Sequence, residues 1–162
     1  MALGFNANEV LQMAEQIERN GAQFYRKAAE SCGECELRDR LLELAEMEDG
    51  HEKTFATMRG ALSGAEAQST AFDPEGVTAQ YLMAMADANV FDPEVDISEA
   101  VTGMSAEELL DVAIDLEKES IVFYLGLRDL VSDAAGKEKI EAILKEEMSH
   151  VALLRGYLSE LA

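Results

Sequence analysis

Tryptophan is absent from this chain, and only two cysteines and two prolines occur in its 162 residues. Two cysteines are too few for the disulfide framework of a small secreted domain, and they supply half of a four-thiolate zinc site at most. Both prolines, Pro74 and Pro93, fall mid-chain, so the long stretches on either side contain no helix breaker. Positive charge is scarce. Thirteen Lys and Arg stand against 33 Asp and Glu, a formal net charge of −20. Such a chain repels phosphate backbones, which excludes nucleic acid as a partner. No apolar run approaches the roughly 20 residues of a membrane-spanning helix, and the first twenty residues lack a basic start followed by an apolar block. Neither membrane attachment nor a secretory signal is therefore expected, and a cytoplasmic location is the default. Apolar content of 48% is ordinary, so a single domain over residues 1–162 with a packed core is expected.

What is present is a repeated pattern of ionisable residues on apolar stripes. Taken at alternating spacings of three and four, one segment reads Leu11, Ala14, Glu18, Gly21, Tyr25, Ala28. Another reads Leu110, Ala113, Glu117, Ser120, Tyr124, Leu127. Two further segments read Leu41, Leu44, Glu48, His51, Phe55, Met58 and Ile140, Ile143, Glu147, His150, Leu154, Tyr157. This spacing is the inward seam of a packed helix. Each seam is apolar or small at its ends and ionisable in the middle. A residue three positions on lies one turn along the same face, so the Glu and His of each Glu-x-x-His can reach one point.

Burial of four carboxylates at one depth has a cost. Each loses several kcal/mol of hydration, and the four repel one another. They can take up protons, pair with buried Lys or Arg, or bind cations. The seams contain no Lys or Arg. Two divalent ions would neutralise Glu18, Glu48, Glu117 and Glu147, and the imidazoles of His51 and His150 would complete the set. Oxygen ligands with some imidazole suit iron or manganese better than a thiolate-seeking metal. One Glu from each of two helices plus Glu-x-x-His from each of two others is the ligand plan of di-iron and di-manganese carboxylate bundles.

The helices are predicted at about residues 7–31, capped by Asn6 or Asn8, and 36–62, stopping near Ser63-Gly64, with a turn over Ser31–Cys35 between them. A third opens on the capping box Ser105-Ala-Glu-Glu108 and runs to about 132; a turn at Ala135-Gly136 leads to a fourth at about 137–161. Short turns make antiparallel hairpins over about 7–62 and 106–161. The connection 64–104 should hold a short helix at about 75–88, opened by Asp73-Pro74-Glu75. Phe-Asp-Pro-Glu recurs at 72–75 and 91–94 and reads as two helix-start signals. The two halves align without a gap at an offset of 99, pairing Glu18 with Glu117, Tyr25 with Tyr124, Glu48 with Glu147 and His51 with His150. That pairing implies a pseudo-twofold arrangement about the site.

Ile17-Glu18 with Phe24-Tyr25, Leu44-Ala45 with Glu48-Asp-Gly-His51, Ala113-Ile-Asp-Leu-Glu117 with Phe123-Tyr124, and Glu147-Met-Ser-His150 resemble the rubrerythrin-like branch of the ferritin-like superfamily. The resemblance covers about residues 7–160. It implies an all-α, ferritin-like four-helix bundle of two hairpins joined by a long crossover, and a non-haem di-iron centre. In that comparison Glu48 and Glu147 resemble bridging carboxylates, Glu18 and Glu117 terminal ligands, and His51 and His150 caps on the two metals. Two departures stand out. No rubredoxin-like iron domain with paired CxxC motifs follows the bundle, so the electron donor is expected to be external. Typical rubrerythrins also carry an extra Glu one turn after the third-helix ligand, where this chain has Ser120; that puts their ligand-exchange peroxidase mechanism in doubt. The expected function is reduction of hydrogen peroxide or dioxygen at a Glu4His2 di-iron site. Iron storage or carriage, and peroxide dismutation at two manganese ions, are the alternatives.

Tyr25 and Tyr124 lie two turns beyond each lone Glu. They either orient ligand carboxylates of the opposite hairpin or serve as core aromatics. Cys32-Gly-Glu-Cys35 is a single CxxC whose functional reading is a redox pair, although Glu30, Glu34, Glu36 and Asp39 oppose a reactive thiolate. Gly50, inside the second helix, costs about 1 kcal/mol against Ala and either allows close packing or is simply tolerated. Met83 and Met85 are packing residues or contacts of a homodimer.

Overall fold

The seam spacing produces helices in the computed structural model, which describes residues 7–32, 36–64, 77, 80–81, 96–131 and 134–162. Helix α1 spans Ala7–Cys32, α2 Leu37–Gly60, α3 Ile97–Val101, α4 Ala106–Leu130 and α5 Ala134–Leu161. No strand occurs among the described residues. α1 packs along α2 and α4 along α5, giving two hairpins; α1 meets α4, α2 meets α5, and α3 rests on α1. The result is the expected four-helix bundle with a long connection between its hairpins.

The core is in two parts. At one end Leu11, Ile17, Phe55, Tyr124, Leu127 and Ile140 form an apolar cluster. At the other, Tyr25, Leu41, Leu44, Leu110, Ile114 and Leu154 form a second. The N-terminal half of α1 shares an end with the C-terminal half of α4, so these two related helices run antiparallel. The halves of the chain are thereby related by a pseudo-twofold axis across the bundle. On the outside, α1 is laced to α2 by Arg19 donating to Glu52 at 2.6 Å and by pairs between Arg26 and Asp49 and between Arg59 and Glu15. The exposed pairs Arg19–Glu52 and Arg26–Asp49 contribute less than about 1 kcal/mol each, so they orient the hairpin more than they hold it; Glu15 of the third pair is buried. Arg40 of α2 lies 4.4 Å from the centre of the Tyr157 ring of α5, a contact between the hairpins.

Ser105 caps α4 as its sequence implies. Its Oγ accepts from the Glu108 amide at 3.2 Å while the Glu108 carboxylate accepts from the Ser105 amide at 2.7 Å. Three local expectations are corrected. α1 begins at Ala7, so Asn8 lies inside the helix and is not its cap; Asn6 is outside the described residues. Ala135 and Gly136 belong to the first turn of α5, not to a loop, and Gly136 is buried. Packing of that turn against the bundle outweighs the roughly 1 kcal/mol propensity cost of a helical glycine. The third is α3, which is not among the expected elements. Asp96 supplies its start, with Oδ1 accepting from the Glu99 amide at 3.4 Å, and Val101 is buried against the second core cluster. Gly103, at φ 80°, makes the left-handed turn between α3 and α4 that other residues rarely adopt.

Of the connecting helix expected at 75–88, Val77, Gln80 and Tyr81 are described and helical. The Tyr81 hydroxyl donates to the Val122 carbonyl at 2.5 Å, tying the connection to α4. The remaining residues of that helix, including Met83 and Met85, lie outside the described residues, as do both Phe-Asp-Pro-Glu segments.

Candidate metal centre

Between the two apolar clusters lies one polar layer. Glu18 from mid-α1, Glu48 and His51 from mid-α2, Glu117 from mid-α4, and Glu147 and His150 from mid-α5 all point into it. None of the six is more than 4% exposed. All six residues singled out by the seam pattern are thus brought together, away from water.

Their arrangement divides by symmetry. Nδ1 of His51 lies 2.9 Å from Glu147 Oε1, 3.4 Å from Glu48 Oε2 and 3.4 Å from Glu18 Oε2. Nδ1 of His150 lies 3.1 Å from Glu147 Oε2, 3.5 Å from Glu48 Oε1 and 3.4 Å from Glu117 Oε1. Glu48 and Glu147 each turn one oxygen to each histidine. Glu18 faces His51 alone, and Glu117 faces His150 alone. Two overlapping groups result, Glu18, Glu48, His51, Glu147 and Glu48, Glu117, Glu147, His150, each with donor atoms within 4.8 Å of one another. Opposite ligands on one ion with bonds of about 2.1 Å stand roughly 4.2 Å apart, so each group is close to the size of a single ion's shell. The two imidazole rings stack with centroids 5.9 Å apart.

The donor set fits metal by a second criterion. His51 Nδ1 and Glu147 Oε1 are buried and have no hydrogen-bond partner among the described residues, although they lie close together. Both are aimed into the shared centre and not along a hydrogen bond. An unpartnered buried polar atom costs about 1–3 kcal/mol, a cost that a cation accepting both lone pairs removes.

Without ions, protons set the charge of the layer. Burial, then the neighbouring Glu48, push the Glu18 carboxyl well above the ordinary carboxylate range. Burial does the same to Glu117, assisted by the charges of Glu48 and Glu147. Burial also opposes ionisation of Glu48 and Glu147, but hydrogen bonds from both histidines and a neighbouring Glu carboxyl outweigh it and hold both below that range. Burial opposes charge on the imidazoles too. The carboxylates of Glu147, Glu18 and Glu48 crowded around its Nδ1 overcome it at His51, which is raised far above its ordinary value, and those of Glu117, Glu147 and Glu48 push His150 up to about 12. Two imidazolium groups, two carboxylates and two carboxylic acids sum to zero. The layer is neutral with protons, and four carboxylates with two neutral imidazoles and two divalent ions are neutral as well.

Tyr25 and Tyr124 cross between the hairpins reciprocally. The Tyr25 hydroxyl donates to Glu117 Oε1, and the Tyr124 hydroxyl donates to Glu18 Oε1. Both rings are also core: Tyr124 packs on Phe55 with centroids 5.0 Å apart. Burial, then the adjacent Glu117 or Glu18, keep both phenols protonated and so donors. The two readings of these tyrosines therefore hold together.

Sequence reasoning missed Glu146. Its Oε2 lies 2.6 Å from His51 Nε2, the nitrogen facing away from the centre. Its half-exposed side chain reaches from the surface of α5 to α2. Ser120 is half-buried and donates its hydroxyl to the Leu116 carbonyl at 3.1 Å, within its own helix. Its counterpart Gly21 lies beside Glu48, where a Cβ would stand 3.5 Å from Glu48 Cγ. Small residues thus flank the layer at both related positions. Gly50 faces open space, with nothing within 4 Å of an added Cβ, so close packing does not account for it. Cys32 ends α1 and is disulfide-bonded. By helix rise it lies roughly 21 Å along α1 from Glu18. Cys35 is outside the described residues.

A helical bundle enclosing a buried layer of four Glu and two His, divided into two overlapping donor groups that could each hold a metal ion, has the ligand plan of the carboxylate-bundle class of proteins. A profile of the ferritin-like domain matches residues 6–160, and the chain belongs to that family. Among solved structures it is similar to a protein of Thermotoga maritima assigned as a ferritin-like diiron-carboxylate protein. That structure superposes with a TM-score of 0.77 at 25% identity, over 98% of each chain. No match is found among curated proteins.

Proposed function

We propose that this protein is a non-haem di-iron oxidoreductase that reduces hydrogen peroxide or dioxygen, drawing electrons from an external donor. The observation that carries the reading is the pair of overlapping donor groups sharing Glu48 and Glu147. One shell is Glu18, Glu48, His51 and Glu147; the other is Glu48, Glu117, Glu147 and His150. Glu48 and Glu147 would be shared between the two ions, and Glu18 and Glu117 would each serve one. Two ferrous ions bound there would supply two electrons, enough with two protons to reduce one peroxide to two waters.

The chain's own residues prepare the site for such chemistry. The apolar clusters on either side exclude bulk water. Tyr25 and Tyr124 fix one oxygen of Glu117 and of Glu18 by donating hydrogen bonds, which holds the terminal carboxylates in one rotamer and partly offsets their charge. Ser120 offers no carboxylate toward the layer, so we infer a fixed ligand set in place of the exchange associated with typical rubrerythrins.

The test is anaerobic loading with two equivalents of ferrous iron, addition of hydrogen peroxide, and near-ultraviolet absorbance. Oxidation much faster than that of free ferrous iron is expected, and oxidation at the same rate would remove the proposal. Elemental analysis of protein purified without added metal decides between iron and manganese.

A further inference from the structure

The pseudo-twofold relation between the halves fails at one place beside the site. His51 Nε2 has a carboxylate partner, Glu146 Oε2 at 2.6 Å. The related nitrogen, His150 Nε2, is buried and has no hydrogen-bond partner among the described residues. The offset of 99 that relates the halves explains the difference, because the counterpart of Glu146 is Met47. A thioether cannot replace a carboxylate as an acceptor. We propose that Glu146 is a positioning residue for His51 that makes the two metal positions unequal, the His51 position being the tighter. This rests on the dinuclear reading of the site given above.

The physical chain is short. Donation from His51 Nε2–H to Glu146 fixes the tautomer, leaving the Nδ1 lone pair for the centre, where that atom lies 2.9 Å from Glu147 and 3.4 Å from Glu18 and Glu48. It also fixes the rotation of the ring and makes the imidazole a stronger donor. His150 reaches the centre through the same atom, 3.1 Å from Glu147 Oε2, but no carboxylate holds its ring from the Nε2 side among the described residues. Glu146 is on the outward side of α5 with its side chain 52% exposed. Removing it leaves both apolar clusters intact.

Cobalt(II), which does not react with oxygen at such a site on the timescale of a titration, is the probe. Wild-type protein, Glu146→Ala and Glu146→Gln are titrated by calorimetry and visible absorption at one fixed pH. The expected result is two binding steps in the wild type. In Glu146→Ala the tighter step weakens about 10–100-fold while the weaker step stays within about twofold. Glu146→Gln, whose amide oxygen still accepts from Nε2–H, recovers part of the loss. Equal weakening of both steps, or of neither, in Glu146→Ala overturns the inequivalence while leaving the dinuclear site standing. Failure of the wild type to bind cobalt at all overturns both. Unchanged helical circular dichroism of the two variants confirms that the comparison is between folded proteins.

Discussion

Loading the site with divalent metal is expected to drive protons out of it. In the metal-free protein His51 and His150 are held as imidazolium by the surrounding carboxylates, His150 up to about 12, and burial keeps protons on Glu18 and Glu117. Two ions with the full ligand set need four carboxylates and two free imidazole lone pairs, so four protons must leave for two ions bound. At neutral pH the two imidazolium protons set the lower bound, and the carboxyl protons raise the number toward four. Each proton is worth about 1.4 kcal/mol per pH unit. Lowering the pH by one unit should therefore weaken the combined binding of both ions by roughly 3–6 kcal/mol. Anaerobic addition of ferrous iron, or of manganese(II), to weakly buffered protein with a pH indicator counts the protons directly. Release of fewer than two protons per two ions would show that the layer is not neutralised as argued.

Stability of the metal-free protein should fall as pH rises above neutrality. The histidines have folded-state pKa values above their unfolded value of 6.5, so their contribution is complete below about 6.5 and is lost as pH climbs toward about 12. Urea unfolding in the presence of a chelator should show a loss of at least roughly 2–4 kcal/mol between pH 6 and pH 8 from the histidines, with Glu18 and Glu117 adding to it; a flat profile contradicts the assignment. Glu18 and Glu117 are raised, so their contribution is complete below about 4.5 and is lost as pH rises, while Glu48 and Glu147 are lowered, so theirs is present above about 4.5 and is lost on acidification. Tyr124→Phe removes the hydrogen bond to Glu18 and should cost about 1–3 kcal/mol, read from the urea midpoint. Phe55→Ala, at a site with no exposure in the first apolar cluster, should cost about 3–5 kcal/mol, seen as a drop in Tm.

The inward faces were legible because burial imposes a period. Glu18, Glu48, His51, Glu117, Glu147 and His150 occupy the same 3-4 rows as Leu11, Leu44, Leu110 and Ile140, and any residue on such a row must meet the others at its own height. The cross-hairpin hydrogen bonds of Tyr25 and Tyr124 follow from the same rows, since both tyrosines share the inward seam with the lone Glu and reach the carboxylate of the opposite hairpin. Glu146 was not legible by this route. It is one residue off the seam, on a face that periodicity assigns to solvent, and it reaches His51 only because its side chain is long and α2 packs beside α5. Comparison of the halves carried the clue, since offset 99 sets Glu146 against Met47. α3 was missed for a local reason. Asp96-Ile-Ser-Glu99 has the form of a helix start, but it follows Pro93 closely and gives only a five-residue helix, too short for a seam.

The composition of the layer argues against a purely structural role. Without it the apolar clusters around Leu127 and around Leu110 would meet directly, and residues such as Leu and Ile at the six positions would continue one core. Buried ionic groups are commonly no more stabilising than hydrophobic residues of the same volume, and often less so by a few kcal/mol. The protons of the metal-free state make the layer tolerable, yet His51 Nδ1, Glu147 Oε1 and His150 Nε2 still lack partners, so hydrogen bonding does not fully satisfy it. A layer selected only for stability would have no reason to leave Nδ1 and Oε1 aimed at one point. A cage prepared for two cations does, because those atoms must be free when the ions arrive.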